Sequence, residues 1–379
     1  MQVHQHPISG AHSNAHYQLT SLHFGSPGSG KKVYIQASLH ADEVPGMLVA
    51  QFLRKELLAL EAAGRLQGEV ILVPAANPIG LAQAIHGAAF GRFDLTTGIN
   101  FNRSYKHVAE DLKISLTGLL GDDAEANVAL IRAHARDSIA AWQPATDADA
   151  LKKILMTLAI DADIVLDLHC DNEAALHIYA GTPLAEAVAP LAAIMGAHAV
   201  LLAYQAGGEP FDEACSRLWW DLEQHFGGRY PIPPACLSTT VELRGEQEVT
   251  YALAQRDAAG LLQFLTLRGI VTAADAEGEA AARVLPAPLC AATPLEGVEP
   301  LYAPHPGILV YTRELGDHIA AGDAIADIID PVSGDTTVIR ASVAGIFFAR
   351  SAHRHVIRGM NIGKIAGAQA YRAGDLLSQ

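Results

Sequence analysis

The stretch Ser38-Leu39-His40-Ala41-Asp42-Glu43, taken with Asp167-Leu168-His169, decides how this chain is read. A strand-like run, Val33-Tyr34-Ile35-Gln36-Ala37, delivers His40 near its end, and Glu43 follows three residues later. A second apolar run, Ile164-Val165-Leu166, delivers His169. Two imidazoles and one carboxylate make a three-ligand zinc set that leaves the fourth position open for water. Such a centre activates water near neutral pH or polarises a carbonyl. One histidine among 17 carries little weight by itself. The weight comes from position, because both histidines stand at the carboxyl ends of strand-like runs, where open α/β sheets place ligands.

Working outward, residues 25–31 have the spacing of a phosphate loop, but Lys32 stands where that loop needs Ser or Thr. A strand follows instead of a helix, so the segment reads as a turn. Residues 47–60 have helical apolar spacing, with Pro45 near the helix start, where its missing N–H does no harm. Residues 69–74 read as a strand. A Gly-rich piece, residues 87–98, ends in Asn100-Phe101-Asn102-Arg103. Helical patterns then cover residues 124–142, 148–158, 183–195, 211–226 and 248–267. Strand patterns fall at 177–179, 199–204 and 237–243, the last carrying Glu242. This alternation predicts a three-layer α/β/α domain with a mixed, largely parallel sheet.

Four short elements, His40-Ala41-Asp42-Glu43, Asn102-Arg103, Asp167-Leu168-His169 and Val241-Glu242-Leu243, occur in order across about 200 residues. In this the chain resembles the succinylglutamate desuccinylase/aspartoacylase family over about residues 30–270. The resemblance implies a zinc-carboxypeptidase-like domain and one Zn2+ per chain on His40, Glu43 and His169. Asp167 shares a strand face with His169, so it can orient that imidazole from outside the metal. Glu242 ends a run that otherwise reads as buried, where a carboxylate is costly without a partner or a task. With the resemblance, it is the expected proton shuttle. Arg103, with Asn102 to fix it, suits a substrate carboxylate. Arg92 resembles in position the family arginine that polarises the scissile carbonyl. Arg244, two residues past Glu242, is expected on the same face, either reading the acyl side or pairing with Glu242.

Composition narrows the rest. The chain has 379 residues, 50% hydrophobic and 18% charged, which predicts two domains with ample core. A formal charge of -15 excludes a phosphate-backbone binder and an anionic membrane surface as partners. An anionic small molecule stays possible, because a few local arginines override the global field. Cys170, Cys215, Cys236 and Cys290 form no CxxC pair and read as free thiols of a reducing cytosol. Cys170, beside His169, reads as structural. The histidine-bearing segment up to residue 21 lacks the shape of a signal peptide, so a cytoplasmic protein is expected.

We expect the catalytic domain at residues 1–285, with residues 272–288 as a linker, and a C-terminal all-β domain at residues 286–379. That last part repeats itself. Residues 303–308 answer 341–346, and residues 319–322 answer 356–359. It resembles a biotinyl/lipoyl-type, barrel-sandwich hybrid-like fold without the modified Lys, which favours a structural or capping role. The expected activity is a zinc-dependent deacylase of a small N-acyl amino acid. A metallocarboxypeptidase is the alternative, and a binding module with a vestigial metal site is the third reading. The sequence leaves assembly open, a homo-oligomer included.

Overall fold

The computed structural model describes residues 1–8, 16–374 and 376. Residues 9–15 of the histidine-bearing lead and residues 375 and 377–379 lie outside the described residues.

The largest element is a nine-stranded mixed sheet. Its order is Gln2–Pro7, Gln18–Gly25, Gly68–Val73, Lys31–Ala37, Ile164–Asp171, Leu237–Gly245, His177–Gly181, Ala199–Ala203 and Ala292–Pro294. The central strands run parallel. Lys31–Ala37 pairs in parallel with both Gly68–Val73 and Ile164–Asp171, and the latter with Leu237–Gly245. The first two strands and His177–Gly181 supply the antiparallel pairings. Residues 292–294, beyond the expected boundary at 285/286, still pair with this sheet.

The central strands are buried on both faces, as a near-continuous apolar run requires. Val33, Ile35 and Ala37 enter one core with the helices Pro45–Ala62, Ala185–Met195 and Tyr251–Leu267. Tyr34 and Val165 enter another, packed by helices Ala124–Ala141, Asp147–Ala159 and Leu218–Phe226. Pro45 begins the first of these helices, as its fixed φ favours. The pattern at 211–226 proves to be two helices, Phe211–Ser216 and Leu218–Phe226, meeting at Arg217. The expected linker at 272–288 holds a short helix, Ala276–Ala282, which Asp275 caps. Residues 25–31 are a turn between two strands.

Helix Tyr251–Leu267 starts at Thr250, whose side chain accepts the Leu253 N–H at 3.2 Å. Thr250→Ala should therefore lower stability by about 1 kcal/mol. A lower denaturant midpoint with an unchanged slope would report it.

The repeat in the C-terminal part builds two antiparallel sheets. Its copies pair reciprocally. Gly307 and Ile308 of the first copy pair with Val356 and His355 of the second, while Gly345 and Ile346 pair with Ile319 and His318. Leu309, Ile325, Phe347 and Ile365 fill the core between them. These sheets dock on the large one through Glu173–Ala174, which pairs antiparallel with Gly345–Arg350. Among the described residues no helix is long and apolar enough to cross a membrane.

Candidate metal centre and its cavity

Strand register sets the site. Ala37 lies opposite Leu168, and His169 lies opposite Glu242 on the next parallel strand. After Ala37 the chain turns sharply at Ser38, a buried non-glycine residue with φ 62°. Strained backbone of this kind persists where surrounding structure enforces it. The turn carries His40 and Glu43 back over the end of the His169 strand. Asp171, at that strand's tip, and Glu242 stand beside them.

The Glu43 carboxylate is the hub. Its Oε1 lies 2.7 Å from His40 Nδ1 and accepts from Arg92 Nη2 at 2.9 Å. Its Oε2 lies 2.7 Å from His169 Nδ1 and accepts the Cys170 N–H at 3.0 Å. Among the described residues, His40, Glu43 and His169 are the group whose ligand atoms all fall within 4.8 Å of one another, and all three are buried.

The His40 tautomer points to a cation among these atoms. Asn100 Oδ1 accepts the Asn102 N–H at 2.8 Å and sits 2.8 Å from His40 Nε2. An amide oxygen only accepts, so His40 Nε2 carries a proton. Burial and the Arg92 cation push the His40 imidazole down to about 4. The ring is therefore neutral at pH 7, and its Nδ1 lone pair faces a carboxylate oxygen. That arrangement is repulsive unless a cation sits between them. His169 Nε2 lies 3.0 Å from Asp167 Oδ2, an ion-pair contact without hydrogen-bond geometry, while its Nδ1 faces Glu43. Burial alone would lower His169, but Asp167 and Glu43 outweigh it and hold the ring well above its usual range. Burial alone would raise Glu43, but His40 and His169 hold it well below the carboxylate range. The two-imidazole, one-carboxylate donor set, each imidazole backed by an outer acceptor, fits Zn2+.

A cavity of about 270 Å³ opens on this cluster. Glu242 lines it. Its Oε2 is buried and has no hydrogen-bond partner, and burial together with Glu43 pushes the carboxyl up to about 8. Buried polar atoms without partners are rare enough to need a reason. Arg92 and Arg103 reach the same cavity. Gly91 brings Arg92 there, because its backbone packs so closely on the Ala41–Asp42 segment that a Cβ would fall 2.4 Å from Asp42 N. Arg103 Nη1 donates to Asn102 O at 2.7 Å, and Arg103 lies against Gly208. Asn102 Oδ1 accepts the Phe211 N–H at 2.9 Å and so ties the 206–210 loop to the site.

The structure thus brings His40, Glu43, His169, Asp167, Arg92, Asn102, Arg103 and Glu242 together. It does not bring Arg244 there, and the expected shared face fails. The strand bulges between Glu242 and Gly245, with Arg244 at φ 69°, which breaks the two-residue alternation. Arg244 instead forms a buried ion pair with Asp257 of helix Tyr251–Leu267, Nη1 donating to Oδ1 at 3.3 Å, and lines a separate cavity. Cys170 is buried, and burial raises its thiol far above the usual range, as expected of a structural cysteine.

Other residues at or around the site were given no role by the sequence reading. Asn100 stood two residues before the Asn102-Arg103 element and is its visible extension. Asp212 and Glu213 line the cavity beside Arg103, raised by burial to about 6 and about 8. Lys364 comes from the C-terminal part and donates to Asp171 Oδ2 at 2.6 Å. Burial would raise Asp171, yet Lys364 brings it down to about 2. Arg350 also lines the cavity and donates to Glu173 Oε2 at 2.7 Å. No sequence pattern signalled either cation, because 193 residues separate Lys364 from Asp171 and 177 separate Arg350 from Glu173.

Residues 29–268 match the succinylglutamate desuccinylase/aspartoacylase catalytic domain family. Among solved structures, a protein of that family from Shewanella amazonensis is similar at 27% identity and a TM-score of 0.82. The match covers 97% of this chain and 98% of that one. A family protein from Shewanella frigidimarina matches at 25% identity and 0.81, covering 97% of each chain. The product-bound ectoine utilization protein EutE (DoeB) from Ruegeria pomeroyi shares the fold at 15% identity and 0.66, covering 96% of this chain and 95% of that one. No curated protein matches the chain.

Proposed function

This chain belongs to the succinylglutamate desuccinylase/aspartoacylase family, and we propose that it is a zinc-dependent hydrolase of a linear amide bond, deacylating an N-acyl amino acid or a similar small carboxylate-bearing amide. The observation that carries this reading is Glu242: a buried carboxylate with one unpartnered oxygen, in register with His169 and facing the same cavity.

His40, Glu43 and His169 would hold the ion, while Asn100 accepts from the outward nitrogen of His40 and the Asp167 carboxylate stands 3.0 Å from that of His169. Zinc bound there supplies a Lewis acid that acidifies water and polarises a carbonyl. Glu242 takes a proton from the attacking water and returns it to the leaving amine. Its raised affinity for a proton suits both halves of that exchange. Arg92 stands by Glu43 and faces the carbonyl oxygen as charge builds on it. Arg103 grips the substrate carboxylate with its planar fork.

The size of the cavity, about 270 Å³, and the cations Lys364 and Arg350 in its wall favour a small amide over a peptide carboxyl terminus. On this reading residues 286–379 form a wall of the site and carry no swinging arm, and residues 1–285 have the layering of a zinc carboxypeptidase.

Two measurements test the assignment. The zinc-loaded protein is incubated with N-acetyl- and N-succinyl-amino acids beside short peptides, and free amine is followed. Release from an acyl-amino acid is expected, and release from peptides alone would move the protein to the carboxypeptidases. Arg103→Ala should raise KM for the active substrate by roughly 10- to 100-fold, the worth of a charge-assisted hydrogen bond. An unchanged KM would remove Arg103 from carboxylate binding.

A further inference from the structure

We propose that the amino acid released by this enzyme has an apolar side chain, leucine or norleucine in size, and that the far half of the catalytic cavity is the pocket for it. The proposal rests on the deacylase reading above and adds the class of amino acid to it.

The sheet's register turns the cavity floor from polar to apolar. One row crosses four strands: Asp167 lies opposite Thr240, Thr240 opposite Tyr179, and Tyr179 opposite Leu201. Residues paired in this way share a face of the sheet. His169, Glu242 and Ala203 each stand two residues beyond a member of that row and so share the face too. Leu201 is two strands past Thr240, or about 10 Å at roughly 4.8 Å per spacing. The alternation holds on that strand, because Leu201 and Ala203 enter one apolar cluster and Val200 enters the core on the opposite face.

Ala206, Leu295, Val298 and Ala349 complete the wall, the last three from beyond residue 285. With Leu201 and Ala203 they line the cavity that holds Glu242, and all six belong to one buried apolar cluster. None of the six carries a polar side-chain atom. A carboxylate side chain placed among them would be buried without a partner, at a large cost. An apolar one gains about 4-fold in affinity for each methylene it buries. Three of the six are alanines, whose short side chains leave room for it.

Arg103 sets which part of the substrate enters. Its side chain packs on Gly208, where a Cβ would fall 2.6 Å from Arg103 Cδ. The Ser104 and Tyr105 N–H groups donate to Gly208 O and Glu209 O at 2.7 and 3.0 Å. The loop that follows Ala206 is thereby fastened to the Arg103 segment. A carboxylate held by Arg103 stands at the entrance of the apolar half, and the side chain on its α-carbon is the group next to that entrance. The acyl group is left to the polar half, with Asp171 and Lys364.

The test is kcat/KM of the zinc-loaded full chain on N-acetyl derivatives of alanine, norvaline, norleucine, aspartate and glutamate. We expect a rise of about 4-fold per methylene from alanine to norleucine, with the two acidic derivatives below alanine. Turnover of the acidic derivatives in preference to norleucine would overturn the proposal and leave the deacylase reading standing. No release from any member would overturn both. A gain from lengthening the acyl group of N-acetylalanine, with none from lengthening its side chain, would also overturn it. Ala203→Leu fills the pocket and should cut kcat/KM for N-acetylnorleucine roughly 10-fold more than for N-acetylalanine. Val298→Ala widens it and should move the optimum to a longer side chain. Equal losses on both substrates in the first variant, with an unmoved optimum in the second, would contradict the pocket.

Discussion

Glu242→Gln should keep its zinc and lose turnover, with kcat falling on the order of 10²-fold or more, the usual worth of a positioned acid–base group. The amide has the shape of the carboxyl group but cannot take and return a proton. Glu242 is surrounded by Glu43, Asp171, His169 and Lys364, which together with burial set its carboxyl near 8. The neutral amide removes a group that resists ionisation in this setting, so folding should not suffer. The pH profile gives a second reading. A base must be deprotonated to accept the proton of water, so kcat/KM of the wild type should rise with pH through the Glu242 pKa. Nearby zinc would lower that pKa from about 8, because a cation favours the carboxylate. The variant should lack this rising limb. Full activity, or a retained limb, would exclude Glu242 as the shuttle.

His169→Ala should lose metal, with activity falling in proportion. It removes one of three ligands and leaves Glu43 and Asp167 facing each other without the imidazole between them. Changes outside the ligand shell already cost about 10- to 100-fold in metal affinity, so losing a ligand should cost more. Asp167→Asn is the graded companion. It leaves the ligands in place, weakens the support of His169, and should reduce affinity within that 10- to 100-fold range. Zinc content by elemental analysis and a thermal melt of each variant separate metal loss from unfolding. Unchanged zinc in His169→Ala would remove it from the ligand set.

Much of this was legible in the sequence because it is local. Strand-end histidines, HxxE spacing and an acidic residue in a buried-looking run are all short-range patterns. The sheet then places His169 and Glu242 side by side. The repeat was legible too, since its two copies pair strand for strand. What escaped is either irregular or long-range. The two-residue alternation that put Arg244 beside Glu242 assumes a regular strand, and the bulge there sends Arg244 to Asp257. Lys364 meets Asp171 only because the C-terminal sheets dock along Glu173–Ala174, a pairing with no local signature. Asn100 was hidden by its ordinary residue type, and its role emerges only where its oxygen meets His40 Nε2.

The central claim is that His40, Glu43 and His169 hold a catalytic zinc. Anomalous diffraction from crystals of the zinc-loaded protein, collected on both sides of the zinc absorption edge, tests it most directly. The account predicts a peak bonded to His40 Nδ1, His169 Nδ1 and a Glu43 carboxylate oxygen, at about 2.0–2.2 Å from each. A fully zinc-loaded crystal with no anomalous density among these three residues would contradict it.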